Sequence, residues 1–129
     1  MVRALDTSFL IDILRGHRGA ATKAAALDAE GEILTIPAPV LAEFLDGAYS
    51  AGGVYLANAT QLIAGRDVVP FDKECGLIAG QLRSDLRRRG ESLPMIDAMI
   101  ASIALRHHSV LVTGDAGFSR VPGLAVETY

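Results

Sequence analysis

The sequence predicts a three-layer α/β domain: a mainly parallel sheet of about five short strands, flanked by helices. Short β-type runs alternate with helical stretches from one end of the chain to the other. The strand candidates are continuous apolar runs rather than alternating ones, as in strands buried on both faces. The 129 residues, 50% of them hydrophobic, supply one core and leave no room for a second, so residues 1–129 are read as a single domain.

Val2 to Leu5 is the first strand candidate. Ser8 can cap a helix carrying Phe9, Leu10, Ile13 and Leu14, which stops at Gly16. An Ala-rich helix follows from about Ala20 to Ala29 and ends at Gly31. Ile33 to Ile36 is the second strand. Pro37 and Pro39 suit the first turn of a helix running to about Ser50, because a first turn needs no N–H partner there. Gly52-Gly53 breaks it, and another helix covers Val54 to Ala64. Val68-Val69 marks a third strand, and Asp72 caps a helix that ends near Gly90 with Arg87, Arg88 and Arg89 at its negative end. Pro94 opens a helix through about His107. Ser109 to Thr113 is the fourth strand and Leu124 to Val126 a fifth. Ligands of such sheets bind at the carboxyl ends of the strands, where the strand order reverses.

Composition excludes several classes. Low hydrophobicity keeps a chain unfolded, and this chain is far from that. A lone Cys75 cannot form an internal disulfide. It reads as a small apolar core residue, and with no nearby His it offers no cysteine nucleophile. A net charge of −3 argues against holding nucleic acid by charge alone. No run reaches the roughly 18 apolar residues of a membrane helix, and Asp6 stands where a signal peptide would have its apolar core. The expectation is a soluble, cytoplasmic protein with no membrane contact.

The informative residues are acids in awkward places. Asp6 directly follows the first apolar strand; a turn or helix cap is its ordinary role. Asp97 lies in a stretch from Pro94 to Leu105 that is apolar on nearly every helical face. An unpaired carboxylate buried there costs several kcal/mol, unless it merely favours the helix's positive end. Glu43 sits at the margin of an apolar stripe of Leu41, Phe44, Leu45 and Ala48, where a solvent-facing Glu is common. Asp115 follows Leu111-Val112-Thr113-Gly114, and Gly-Asp after a strand is often a turn. Taken together, two acids end strands and two lie on helices able to pack over that edge. Four converging carboxylates repel one another. A divalent cation relieves that repulsion, and an oxygen-only set selects Mg²⁺ or Mn²⁺. Phosphodiester hydrolysis is the usual chemistry of such a site.

These residues resemble a known family. Asp6-Thr7-Ser8 near the start, Glu43 after the second strand, Asp97 on the late helix and Thr113-x-Asp115-x-x-Phe118 look like the PIN-domain ribonucleases, over essentially the whole chain. Within them, the chain is similar to the VapC-type toxins of type II toxin–antitoxin pairs. The resemblance implies an Mg²⁺- or Mn²⁺-dependent endoribonuclease with Asp6, Glu43, Asp97 and Asp115 as catalytic and metal residues. It implies Thr7 and Ser8 as supports and Thr113 as the residue that orients Asp115. It also implies an RNA substrate, a cognate VapB-like antitoxin and a homodimer. Gly114 departs from the Arg or Asn that many members carry.

Other residues carry weaker signals. Asp12 could approach the site from the first helix, though a solvated face is its ordinary fate. Arg15, His17, Arg18 and Lys23 form one basic group and Arg83, Arg87, Arg88 and Arg89 another; either lies on a solvated surface or steers a polynucleotide backbone. His107-His108 compensates a helix dipole. From Val40 to Ala64, the residues Leu41, Leu45, Tyr49, Val54, Tyr55 and Leu56 exceed what one small core needs, which suits a helical partner segment unless they pack internally. A phosphoacceptor domain fails for want of a late Lys, and a haloacid-dehalogenase-type phosphatase fails because Ser8 stands where a second Asp is needed. The remaining alternative is a non-catalytic PIN-like module that binds RNA or protein.

Overall fold

The computed structural model describes residues 1–129. The first half of the chain forms β1 (Val2–Leu5), α1 (Thr7–Leu14), α2 (Arg18–Ala29), β2 (Ile33–Pro37), α3 (Ala38–Ala51) and α4 (Gly53–Ile63). The second half forms β3 (Asp67–Val69), α5 (Lys73–Arg88), α6 (Met95–Arg106), β4 (Val110–Val112), a 3₁₀ turn (Ala116–Arg120) and β5 (Val126–Glu127). All strand pairs are parallel, in the order β3-β2-β1-β4-β5. From β1 the chain moves outward through β2 and β3, then returns to lay β4 on the other side of β1. Strand order therefore reverses between β1 and β4, and the crevice of the sheet opens at their carboxyl ends.

The core lies on both faces of the central strands. Leu5, Phe9, Leu10, Ile36, Val40, Phe44, Ile100, Leu111 and Phe118 are all fully buried, each contributing about 1.5–3 kcal/mol by leaving water. The apolar character of α6 is explained by its position: Ala98, Ile100, Ala101, Ser102, Ile103 and Ala104 are buried. The hydroxyl of Ser102 is satisfied there by donating to Met99 O at 2.7 Å. Cys75 is likewise buried in the core. No helix is long and apolar enough to cross a membrane.

Several local expectations change. The cap position of α1 is Asp6, not Ser8, which lies inside the first turn and is free to bond across to β4. α2 begins at Arg18, because His17 Nδ1 accepts the Ala20 N–H at 3.1 Å and caps it. β5 is shifted to Val126–Glu127, where Thr113 N–H donates to Glu127 O at 3.0 Å. The basic groups also thin out. Lys23 pairs with Glu127 at 3.0 Å, and Arg83 Nε donates to Leu93 O at 3.0 Å, so both are structural. Arg3 adds a two-pronged contact to Glu127 at 2.9 and 3.0 Å, and these bonds hold the Glu127 carboxyl down to about 2. Leu41, Tyr55 and Leu56 pack against the core, leaving Tyr49 and Val54 as the exposed apolar residues of the α3–α4 hairpin.

Candidate functional site

Asp6 stands at the switch point itself. Its N–H donates to Val112 O at 3.0 Å, extending the β1–β4 ladder one residue past Leu5. The side chain is 4% exposed. Its Oδ2 accepts Thr113 Oγ1 at 2.6 Å and Ser8 Oγ at 3.1 Å, while Oδ1 takes no side-chain hydrogen bond. Burial nonetheless outweighs these donors and raises the Asp6 pKa, with the Glu43 charge adding to the rise.

The other acids arrive on separate elements. Glu43 projects from α3 and is exposed, and its Oε1 accepts Thr7 Oγ1 at 2.6 Å. Asp115 caps the 3₁₀ turn, its Oδ1 accepting Gly117 N–H at 2.8 Å. Asp97 is half-buried in the first turn of α6 and has no hydrogen-bond donor. Two arginines secure these elements. Arg83 holds the loop before α6 at Leu93, and Arg120 Nη1 reaches from the 3₁₀ turn to Ser92 O at 2.9 Å. Asp115 and Asp97 thus ride on segments tied to each other.

Asp97 shows that the four acids share one field. Its pKa is raised from 3.8 to about 6, first by burial and then by the charges of Asp6, Asp115 and Glu43. A first-turn Asp serving only the helix dipole would be pulled the other way. No three His, Cys, Asp or Glu side chains stand close enough to make a ready cage, yet the acids are near enough for the charges of Asp6, Asp115 and Glu43 to act on Asp97. None of them lines any of the four clefts of the molecule. An open, acid-rimmed edge suits a polymer better than an enclosed small molecule. The donor set, carboxylates alone and mutually repelling, fits a hard divalent cation.

Thr113 contacts Asp115, as expected, and Asp6 as well. Its hydroxyl orients Asp6, and it touches Asp115 only through the backbone, accepting that residue's N–H at 3.0 Å. Asp12 is not on a solvated face but half-buried, its Oδ2 accepting the Tyr129 hydroxyl at 2.5 Å. Tyr129 was not identified from sequence, and no local signal marks it, since only the path of β5 brings it to α1.

The sequence model of the PIN domain matches residues 3–124. The chain belongs to the PIN-domain family. This PIN domain is 27% identical to Ribonuclease VapC2 of Rickettsia felis, over 100% of its own length and 98% of that protein's. It is 32% identical to a tRNA(fMet)-specific endonuclease VapC of Salmonella typhimurium, over 57% of each chain. Its fold superimposes on the crystal structure of VapBC2 from Rickettsia felis, bound to a DNA fragment from its promoter, with a TM-score of 0.84. That superposition covers 99% of this chain and 98% of the other, at 26% identity. The parallel five-stranded sheet and its flanking helices are those of this family.

Proposed function

We propose that this PIN domain is a VapC-type endoribonuclease toxin, dependent on Mg²⁺ or Mn²⁺, whose cation is held by Asp6, Glu43, Asp97 and Asp115. The observation that carries the reading is the Asp97 carboxyl, raised to about 6 by burial and by the other three acids at the switch point. Uncompensated, that repulsion opposes folding; a cation held there turns it into binding energy. The names of the relatives support the same chemistry.

Each residue has a definite task. Asp6, with Oδ2 fixed by Thr113 and Ser8, offers Oδ1. Thr7 holds Glu43, which like Asp115 is exposed, at the rim. Asp97 must lose its proton to contribute, and Asp115 closes the side formed by β4. A cation held by these four carboxylates would supply an activated water and charge neutralisation at the scissile phosphate, which would let an acidic protein meet a polyanion. Arg15, Arg18, Arg87 and Arg89, exposed and with no side-chain hydrogen-bond or ion-pair partner, remain to attract an RNA backbone.

The partners follow from surface and kinship. Tyr49 and Val54 are 68% and 77% exposed on the α3–α4 hairpin, apolar contacts that suit a second copy or a helical antitoxin segment. Several similar structures are toxin–antitoxin complexes, which favours a VapB-like partner. Small-angle scattering checks the dimer: a monomer at high micromolar concentration contradicts it.

Cleavage of a mixed RNA pool tests the activity. The reading expects new RNA ends with Mg²⁺ or Mn²⁺ and none in excess EDTA. Undiminished cleavage in EDTA, with purity verified, overturns the metal chemistry. RNA binding without cleavage under any metal condition makes the domain a non-catalytic module.

A further inference from the structure

Asp12 and Tyr129 meet beside the acidic edge, and the chemistry proposed above uses neither. α1 sets Ser8 and Asp12 four residues apart, hence stacked on one face of the helix. At Ser8, Oγ accepts the Gly114 N–H at 3.0 Å. One turn on, Asp12 Oδ2 accepts the Tyr129 hydroxyl at 2.5 Å. The two ties adjoin. A Cβ on Gly114 would lie 2.6 Å from the Tyr129 hydroxyl, 3.2 Å from its Cζ and 3.5 Å from Asp12 Oδ2.

The phenol cannot easily swing aside. Its ring packs against Phe9 at a centroid distance of 5.0 Å and meets His17 edge-on at 5.6 Å. Phe9 is 1% exposed, and His17 is itself fixed as the cap of α2. Burial and the Asp12 carboxylate keep the hydroxyl protonated, so it remains a donor. Glycine at 114 is therefore demanded by space: the β4 turn gives up a side chain, and the phenol fills the place.

We propose that Tyr129 is a positioning residue of the cation site, clamping the Thr113–Gly114–Asp115 turn onto α1. This rests on the cation-site reading above. The turn carries Asp115 and the hydroxyl that orients Asp6, so a shift at Gly114 displaces one acid directly and releases another. Tyr129 acts through that turn and need not touch cation or RNA.

Mn²⁺ titration calorimetry on the full chain tests this, alongside amide hydrogen exchange at Gly114 in the metal-free protein. Tyr129→Phe and Asp12→Ala should each weaken Mn²⁺ binding by about tenfold, the scale of an outer-shell defect. The double variant should be no weaker than either, because both remove one link. Asp12→Asn, whose amide oxygen still accepts the phenol, should bind Mn²⁺ nearly as the unmodified chain does, which a general loss of stability would not arrange. The Gly114 amide should exchange faster in Tyr129→Phe and Asp12→Ala. Unchanged Mn²⁺ affinity in Tyr129→Phe, or multiplying losses in the double variant, overturns the proposal. If the unmodified chain binds no Mn²⁺, the cation-site reading fails instead; unchanged Gly114 exchange in Tyr129→Phe then overturns the clamp, and faster exchange upholds it as a clamp of the turn alone.

Discussion

Thr113 Oγ1 donates a 2.6 Å hydrogen bond to Asp6 Oδ2 across the seam between β4 and β1. The bond joins the two strands at which the sheet changes direction, and it supplies the shortest donor to a carboxylate that is 4% exposed. Thr113→Val keeps the shape and removes the donor. It should cost about 1–3 kcal/mol at neutral pH, because a buried charged group is left undersatisfied. Urea unfolding measures it, and Thr113→Ser should recover most of the loss. An unaltered midpoint in Thr113→Val would show that Asp6 does not depend on this donor.

Stability should depend on pH through the acids. Asp97 has its folded pKa raised from 3.8 to about 6. Its protonated form favours the folded state, so that contribution is complete below about 4 and is lost as pH rises through about 6. Asp6 shifts in the same direction. Glu127, held down to about 2, is fully charged above 4.5 and constant across this window. The metal-free protein should therefore be more stable at about pH 5 than at about pH 7.5, by on the order of 1 kcal/mol once the partial exposure of Asp97 is allowed for. Thermal melts in chelator check the sign. Equal slopes for the unmodified chain and Asp97→Asn would detach the effect from Asp97.

Thr7 and Glu43 separate function from stability. Their 2.6 Å hydrogen bond is exposed, so Thr7→Val should change stability by less than about 1 kcal/mol. RNA cleavage should nonetheless fall by about tenfold, through kcat more than KM. Full activity in Thr7→Val would mean that Glu43 needs no support.

Much of this was legible in the sequence because the signals were local. Continuous apolar runs gave the parallel strands, and Gly16, Gly31 and Gly52 marked breaks where the structure has positive φ. Asp97 stood out because α6 is apolar nearly all round, and burial of that helix is what raises its pKa. What was missed depends on long-range placement. Ser8 looked like a cap, yet its hydroxyl bonds Thr113 and Gly114, more than a hundred residues away. Lys23 looked like a free cation until β5 brought Glu127 beside it. Asp12 looked solvated for the same reason: Tyr129 arrives only after the last strand pairs with β4.

The central claim is that Asp6, Glu43, Asp97 and Asp115 form one cation site, and thermal melts of the unmodified chain and Asp97→Asn, with and without Mg²⁺, test it most directly. Removing one charge relieves repulsion, so metal-free Asp97→Asn should be at least as stable as the unmodified chain, by up to about 1 kcal/mol. Mg²⁺ should raise the midpoint of the unmodified chain clearly and that of the variant much less, since only binding to the folded state stabilises. An Asp97→Asn protein that melts lower than the unmodified chain yet gains equally from Mg²⁺ would contradict the account.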